Sequence, residues 1–318
     1  MCKGGPHCIT EYRGDWKWHK QLWNLTCWWG ARSVCHLCTA QLNGPARWSN
    51  FDMVHPERTT ADLINKCMAS INPMCAIAGW DVKMIRYCSM HCSNIGILIA
   101  LNGSLVDLLC ERSFFGERKE EQLRELTTRL RRWASANQIE HSQVYITKGM
   151  HRRDARGYPE LLGKAYNNRV MLAFLAVCMA TLAGTCDDLE VQLASSVAQL
   201  MSVWHDRLER APRYMSSSQA QLLDETSMRF VKQYKRLAVL AYIQGKTRWK
   251  LIPKVHAWRH LNQCMLSELY NCRFFHAFLD EDNMGAVKRI ARMCHRNLLE
   301  LRVISRLLLR YKHVKRPS

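Results

Sequence analysis

Two cysteines separated by two residues form the most specific chemical signal in the sequence. Cys35 and Cys38 stand in the tetrapeptide CHLC, and two thiolates at this spacing can grip one tetrahedral zinc ion. A closed zinc site needs two more ligands, and the sequence has no second CxxC. The residues available to complete the site are His7, Cys8, Cys27, Cys88, His91 and Cys92. The spacing predicts a structural zinc knuckle, with reduced and unliganded cysteines as the alternative.

A pair of histidines four residues apart is the next chemical signal. His256 and His260 lie in the segment PKVHAWRHL, and residues at this spacing share one face of a helix. Such a pair can bind zinc. No glutamate stands between the two histidines, so the sequence excludes the HExxH class of metalloproteases. A packed or solvent-facing pair of histidines is the alternative to a metal site.

Short alternating runs and longer helical patterns must position these residues. Residues 8–13, 82–88 and 143–148 alternate as strands do, and residues 149–160 are typical of a loop. Helical periodicity marks residues 120–133, 161–184, 187–208, 219–243, 256–270 and 284–311. The serines at 216–218 are a predicted N-cap. These patterns predict a protein in which helices dominate.

The chain carries a large excess of positive charge. Its 318 residues include 46 Lys and Arg against 27 Asp and Glu, for a formal net charge of +19. Such an excess favours a polyanionic partner, nucleic acid first and an anionic membrane surface second. Apolar residues make up 48% of the chain. That fraction excludes a mainly disordered protein, and the length suits one large domain or two ordinary ones.

The cysteines and the apolar segments indicate a reducing, intracellular compartment. Fifteen cysteines are spread along the chain, and the first residues, MCKGGPHC, show no apolar signal segment. The longest apolar run, residues 170–184, has about fifteen residues, whereas a membrane-spanning helix needs about twenty. We therefore expect free thiols, no transmembrane segment and a buried helix at this run.

Three stretches of the chain together resemble a known family. The first, GDWKWHKQLWNLTCWWGARSVCHLC at 14–38, has an Asp, an aromatic spacer and then CxxC. The second is SMHCSNIGILIALNGSLVDLL at 89–109. The third combines PKVHAWRHL with FHAFLDEDNMGAVKRI at 275–290. In this order they resemble the catalytic segments of CACTA-type cut-and-paste DNA transposases, over roughly residues 8–295.

The resemblance implies an α/β (α+β) fold, in which a large all-helical insertion splits an RNase H-like core and helices dominate overall. The first part of the core, with the CxxC knuckle, is expected in residues 1–103. The insertion is expected in residues 104–245, and the closing segment with a basic C-terminal helix in residues 246–318.

The resemblance also implies three carboxylates around two Mg²⁺ ions that would cut DNA. Asp15 matches the first acid and Glu281 the third, with Asp282 and Asp280 as neighbouring alternatives. At the second position, where the family has D-x-M-H, this chain has Cys88. A thiol is a soft ligand and a poor replacement for a carboxylate on Mg²⁺. We therefore expect a degenerate active site, with zinc as a structural cofactor and Mg²⁺ bound only if catalysis survives.

The end of the chain has the clearest basic surface. Arginines repeat there at helical spacing opposite leucines, and Glu300 is the only acid after residue 285. The predicted nucleic-acid-binding residues are Lys288, Arg289, Arg292, Arg296, Arg302, Arg306 and Arg310. A solvated basic face, or a helix on a membrane surface, is the alternative. The tryptophans within residues 16–29 could stack on unpaired bases, although packing in the core is the favoured interpretation.

Taken as a whole, the sequence predicts a nuclear, transposase-derived protein that binds DNA without strand transfer. One alternative is a non-enzymatic helical DNA- or RNA-binding or scaffold protein with a structural zinc knuckle. A second alternative is an active Mg²⁺-dependent transposase or endonuclease, if another carboxylate reaches the second metal position. Assembly into a homo-oligomer is left open.

Overall fold

Helices form most of the protein. The computed structural model describes residues 11–314, apart from the side chains of residues 119–120, 279–282 and 311–314. The chain divides into two compact units, Met1–His276 and Ala277–Ser318. The helices of the first unit are α1 (Trp16–Leu22), α2 (Thr60–Cys67), α3 (Ser89–Cys92), α4 (Leu98–Glu111), α5 (Lys119–Ala136), α6 (Ala165–Ala183), α7 (Leu189–Arg210), α8 (Ser217–Ile243) and α9 (Lys254–Glu268). The second unit contains α10 (Phe278–Arg292) and α11 (Leu299–Val314).

The strands of the described residues are short and lie in two separate pairs. They are β1 (Tyr12–Gly14), β2 (Ile85–Tyr87), β3 (His151–Arg153) and β4 (Pro159–Leu161). β1 and β2 pair in parallel, and β3 and β4 form an antiparallel hairpin. The expectation of a helix-dominated protein is therefore confirmed.

The four long helices α6–α9 build the main core of the first unit. α7 packs against both α6 and α8, and α8 packs against α9. Trp258 of α9 makes edge contacts with Trp204 of α7 and Phe230 of α8, with ring centroids 4.9 and 5.4 Å apart. The buried Trp204 indole donates a 2.7 Å hydrogen bond to Asn262, so its polar atom is satisfied inside the core. α9 is thereby held firmly, and α9 carries the histidine pair.

The parallel pair β1–β2 fixes the relative position of two distant segments. Gly14 lies opposite Tyr87 in the register, and the Cys88 amide donates to the Gly14 carbonyl at 3.2 Å. Asp15 and Cys88 are the residues that follow the two strands. Because parallel strands end at the same edge, this pairing brings Asp15 and Cys88 to one place.

Most helix predictions are confirmed. α5, α6, α7, α8 and α9 lie where the periodicity places them, and the predicted N-cap is real. The Ser216 side chain accepts a hydrogen bond from the Gln219 amide, and the Gln219 side chain accepts one from the Ser216 amide. This reciprocal pair is a capping box. The helix predicted over 284–311 is instead two helices, α10 and α11, separated by residues 293–298.

The interpretation of residues 143–160 is wrong in two ways. Residues 143–148 form no strand, since the Ile146 amide donates to the Thr127 hydroxyl (3.1 Å) rather than to a neighbouring strand. Residues 149–160 are not a plain loop, because β3 and the start of β4 lie within them. Gly157, with φ +82°, makes the tight turn between these strands.

Two helical stretches are long and apolar enough to span a membrane by length and composition. They are Ser89–Glu111, which runs from α3 through a π-helical turn into α4, and Ala165–Ala183. In their most apolar windows, 83% and 56% of the residues, respectively, are buried inside the protein. Both stretches therefore pack as core helices of the first unit.

Candidate metal centre and strand-end pocket

Two cysteines and two histidines from opposite ends of the first unit converge on one point. Cys35 and Cys38 come from the loop between α1 and α2, and His256 and His260 come from α9. Their four ligand atoms all lie within 4.8 Å of one another. The cysteines and His256 are buried, and His260 is half-buried. This cluster could hold a metal ion such as zinc.

The spacing of the ligand atoms is close to that of a tetrahedral zinc site. His256 Nε2 lies 3.2 Å from Cys38 Sγ and 3.1 Å from His260 Nε2. Zinc–sulfur bonds near 2.3 Å and zinc–nitrogen bonds near 2.0 Å put neighbouring tetrahedral ligands roughly 3.3–3.8 Å apart. Bond formation would therefore need only small adjustments of the side chains.

Hydrogen bonds in the loop that carries the cysteines can stabilise a thiolate at Cys35. The Leu37 amide donates to Cys35 Sγ at 3.3 Å, and the Tyr87 hydroxyl lies 3.4 Å from the same sulfur. Arg58 ties the loop down, since its guanidinium donates to the Cys35 carbonyl (3.3 Å) and to the Ser33 hydroxyl (2.7 Å). Hydrogen bonds to sulfur of this kind orient and stabilise metal-bound thiolates.

The electrostatics of the two thiols favour one thiolate. Burial opposes ionisation of Cys35, but the Cys38 thiol and the two histidine rings together bring the pKa of Cys35 well below its usual value. Its proximity to Cys35 in turn raises the pKa of Cys38, and burial adds to that rise. Without a metal, ionisation of one cysteine opposes ionisation of the other. A bound metal ion would stabilise both thiolates, because cysteine binds metal in its deprotonated form.

Histidine side chains also anchor both the CxxC loop and α1 to β2. His36, between the two cysteines, is fully buried, and its Nε2 lies 3.1 Å from the Ile85 carbonyl. His19 makes the same contact with the next carbonyl, that of Arg86, at 2.8 Å. Burial lowers the pKa of His19 to about 3, so this ring is neutral at physiological pH. His36 thus holds the CxxC loop, and His19 holds α1, against β2, the strand that Cys88 follows.

Of the six residues that the sequence offers as completing ligands, the four that the structure describes do not belong to this cluster. The Cys27 thiol contacts Cys67, and that contact lowers the pKa of Cys67 to about 7. Cys88 and His91 belong to a separate pocket together with Cys92. His7 and Cys8 lie outside the described residues. The histidine pair of α9 takes their place.

A small pocket, called here the strand-end pocket, lies where β1 and β2 end. Its volume is about 70 Å³, and its lining includes Asp15, Cys88, His91 and Lys254. Cys88 Sγ lies 3.1 Å from His91 Nδ1. Asp15 caps α1, since its carboxylate accepts from the Trp18 amide at 2.5 Å. The pocket therefore contains the two residues, Asp15 and Cys88, that the family resemblance aligns with the first and second acids.

The described side chains of this pocket do not fit a pair of magnesium ions. They offer one carboxylate, the thiol–imidazole pair of Cys88 and His91, the thiol of Cys92 and the ammonium groups of Lys17 and Lys254. Mg²⁺ prefers oxygen ligands and is bound through carboxylates, and a thiol is a poor substitute. An ammonium group in the same pocket also repels a divalent cation. No catalytic step through Mg²⁺ follows from these residues.

The acids expected to close the catalytic site lie in the second unit. Glu281 and Asp282 fall in the early part of α10, as does the alternative Asp280. Their side chains lie outside the described residues. Their assignment as catalytic acids stays a prediction.

The predicted nucleic-acid-binding residues are all exposed. Lys288, Arg289 and Arg292 lie on α10, Arg296 follows it, and Arg302, Arg306 and Arg310 lie on α11. Among the described residues, none of the seven forms an ion pair. Their positive charge is therefore available to an anionic partner.

Sequence reasoning missed several residues around both sites. Tyr87 and Arg58 give no local signal, because a strand tyrosine and a loop arginine are common. Lys254 stands two residues before His256, and only the fold brings it to the strand-end pocket. His36 was the one available clue, since it stands inside the CxxC motif itself.

Comparison with known proteins adds no relative. Protein-family models, curated proteins and solved structures all give no match to this chain.

Proposed function

We propose that this protein is a transposase-derived nucleic-acid-binding protein that has lost DNA strand transfer and is held together by a structural zinc ion. The observation that carries the proposal is the meeting of Asp15 and Cys88. They follow two parallel strands that pair directly, and they line one pocket. A strand-edge position of this kind is where an RNase H-like active site would hold its first two acids.

Replacement of the second acid supports the loss of catalysis. The thiol of Cys88 pairs with His91 (3.1 Å), and Lys254 brings a positive charge to the same pocket. Two-metal cleavage depends on hard oxygen ligands around ions about 3.5–4 Å apart. The described donors supply one such ligand, Asp15, and that carboxylate also caps α1.

Zinc is the metal that best suits the other site. Two thiolates and two imidazoles form a closed tetrahedral set typical of structural zinc. The four ligands leave no open coordination position for a substrate. The ion would join the CxxC loop to α9, two elements that lie more than two hundred residues apart in sequence. Its role in this proposal is structural.

Nucleic acid is the partner that the charge distribution favours. The chain has a net charge of +19, and the seven basic residues of the second unit are exposed. Contacts of lysine and arginine with phosphates are insensitive to sequence and weaken as salt rises. A DNA-binding protein of this kind would act in the nucleus.

A nicking assay on supercoiled plasmid tests the proposal. The purified chain, with Mg²⁺ or Mn²⁺, should retard the plasmid on a gel and leave it supercoiled. Asp15→Asn is the matched variant, because asparagine keeps the N-cap of α1 and removes the charged ligand. Nicking by the natural chain that Asp15→Asn abolishes would overturn the proposal and favour an active endonuclease.

A non-enzymatic helical scaffold with a zinc knuckle is the second candidate. The shortness of the sheets favours it, since β1 and β2 share only the three residue pairs from Tyr12–Ile85 to Gly14–Tyr87. A scaffold of this class would hold one zinc ion, would not respond to Mg²⁺ and would leave DNA unbound in the plasmid assay. Retardation of the plasmid therefore separates the two candidates.

A further inference from the structure

A cleft of about 960 Å³ opens on the first unit. One wall is the loop that carries the CxxC motif, and it includes Trp29, Arg47 and Trp48. The rest of the lining forms a second wall, from residues 95–100, the β3–β4 hairpin and residues 250–254, which lead into α9. The candidate metal centre joins these two walls, because its ligands come from the same loop and from α9.

The cleft has cations that no protein carboxylate neutralises. Arg47 and Arg156 are exposed and form no side-chain hydrogen bond or ion pair within the described residues. The two acids of the lining, Asp154 and Glu160, are both paired with Lys250, the second at 3.6 Å. Glu160 also meets Arg152 at 3.7 Å. The acids are thus satisfied internally, and two guanidinium groups remain for an anionic ligand.

An aromatic ring connects this cleft to the strand-end pocket. Trp29 is half-buried and lines both cavities, and Lys254 does the same. Trp16 and Trp28 brace the Trp29 ring, with centroid distances of 5.6 and 4.9 Å. Gly96 makes room for Lys254, since a Cβ at position 96 would come within 2.6 Å of the lysine Cδ. The junction therefore combines a fixed ring with an ammonium group.

We propose that this cleft binds a single-stranded segment of nucleic acid, with phosphates at Arg47 and Arg156 and an unpaired base against Trp29. The inference rests on the proposed binding of nucleic acid and names its site. A positively charged groove with an aromatic platform is the usual architecture for single strands. A duplex offers no exposed base face to a ring inside a cleft, so Trp29 selects against it.

Fluorescence anisotropy with labelled oligonucleotides tests the cleft. The probes are a single DNA strand of about 12 nucleotides, its RNA counterpart and the matching DNA duplex. The test variant is Arg47→Gln/Arg156→Gln. The control is Arg229→Gln/Arg236→Gln, which removes two exposed arginines from α8 and changes the net charge equally.

The cleft variant should weaken single-strand binding about tenfold and reduce the salt slope by about 1.4, because two phosphate contacts are lost. The control should change the Kd for the same strand by less than about twofold. Equal effects of the two variants would overturn the inference and would leave the proposed function standing. Binding of neither single strands nor duplex by the natural chain would overturn both.

A crosslinking experiment locates the base without any substitution. A single strand that carries 5-iodouracil is irradiated in the complex, and the adduct is mapped by peptide mass spectrometry. The inference predicts an adduct at Trp29. Adducts confined to the second unit would contradict it.

Discussion

At the scale of single residues, the candidate metal centre consists of four side chains that the sequence offers in two unrelated motifs. The CxxC spacing predicts a two-thiolate grip, and the histidine pair predicts a helix face that can bind metal. Neither motif indicates that the two pairs of ligands belong to one metal site. The packing of α9 against the CxxC loop brings them together, and no local sequence pattern encodes such long-range packing.

Loss of one cysteine ligand should release the metal and destabilise the first unit. Cys38→Ser is expected to lower the bound zinc from about one ion per chain to near zero, and to lower the free energy of unfolding by several kcal/mol. Metal analysis and urea unfolding measure the two effects. Cys186→Ser is the matched control, because that thiol donates to the Leu182 carbonyl (3.6 Å) and serine can do the same.

If the control releases zinc as readily as Cys38→Ser, the metal is not held by the proposed ligands. If Cys38→Ser retains a full ion, the cluster is not a metal site.

A buried histidine of α7, which is not one of the four candidate metal ligands, should make stability depend on pH. Burial lowers the pKa of His205 from 6.5 to about 3, so the folded protein keeps this ring neutral while the unfolded chain protonates it below about 6.5. Acid therefore favours the unfolded chain. Because of this residue, the free energy of unfolding should fall by about 2 kcal/mol between pH 7 and pH 5.

His205→Phe removes the titration and keeps a ring of similar shape. The free energy of unfolding at pH 7 minus that at pH 5 should be smaller in the variant by about 2 kcal/mol, as measured by urea unfolding. Subtraction of the two proteins cancels acid effects at the metal ligands. If the free energy of unfolding depends on pH equally in both proteins, His205 takes up its proton as readily in the folded protein as in the unfolded chain. That result would contradict the prediction.

At the scale of elements, close approaches between helices, strands and connecting segments hold the site in place. α4 lies directly against β4, where Gly103 faces the backbone of Glu160. A buried ionic cluster joins α4 to α7 and to the segment before α9. Both features position the segment from which α9, and hence the histidine pair, begins.

Gly103→Ala should destabilise the protein. A Cβ at this position would lie 2.6 Å from the Glu160 backbone, so α4 and β4 must separate, at a cost of about 1–3 kcal/mol. Gly285→Ala in α10 is the control, because among the described side chains the first atom that a Cβ would meet is in the Arg289 guanidinium, at 3.7 Å. There alanine should be neutral or stabilising by up to about 1 kcal/mol. Thermal or urea unfolding of both variants gives the comparison, and equal losses would contradict the packing described.

Arg248→Met should be costly, because it removes the most buried cation beside Glu190 and leaves that carboxylate with Lys246 (2.9 Å) and the Trp249 indole (2.9 Å) as partners. Arg248 is 5% exposed, and its guanidinium contacts Glu190, which is 1% exposed, at 2.9 Å and Asp107 at 3.0 Å. Breaking a buried pair from one side costs about 3–5 kcal/mol. Arg210→Met, which breaks an exposed pair with Asp206, should cost less than about 1 kcal/mol.

Urea unfolding measures both losses. Arg248→Met/Glu190→Gln should recover part of the stability, because the buried carboxylate that Arg248 paired with is then replaced by a neutral amide. A double variant no more stable than Arg248→Met would contradict this explanation.

At the scale of the whole molecule, the sequence predicts the helices well and the sheets poorly. Heptad-like leucine spacing suffices for α5, and a serine cap marks the start of α8. Residues 143–148 alternate as a strand would, yet a side chain from α5 takes the Ile146 amide instead. Strand pairing depends on a partner elsewhere in the chain, and alternation alone does not supply one.

The meeting of Asp15 with Cys88 is predictable from the family resemblance and from nothing more local. Each residue follows a three-residue strand, too short to be certain from periodicity. The resemblance places both at the end of core strands, and the parallel pairing of β1 with β2 brings them together. The presence of Lys254 beside them depends on where α9 begins, which no motif specifies.

The basic second unit should contribute sequence-independent affinity. Replacing Arg302 and Arg306 with Gln should weaken binding to unrelated DNA duplexes by similar factors and reduce the salt slope by about 1.8. Titrations at several salt concentrations measure both. A loss confined to one DNA sequence would contradict a phosphate-contact role.

The proposed function requires that this chain binds nucleic acid and leaves it uncut. The most direct measurement is a titration of end-labelled DNA with the zinc-loaded protein in Mg²⁺, with each sample read by anisotropy and then on a denaturing gel. The expected result is saturable, salt-sensitive binding with every labelled strand intact. Shortened strands whose amount grows with time, or no binding at low salt, would contradict it.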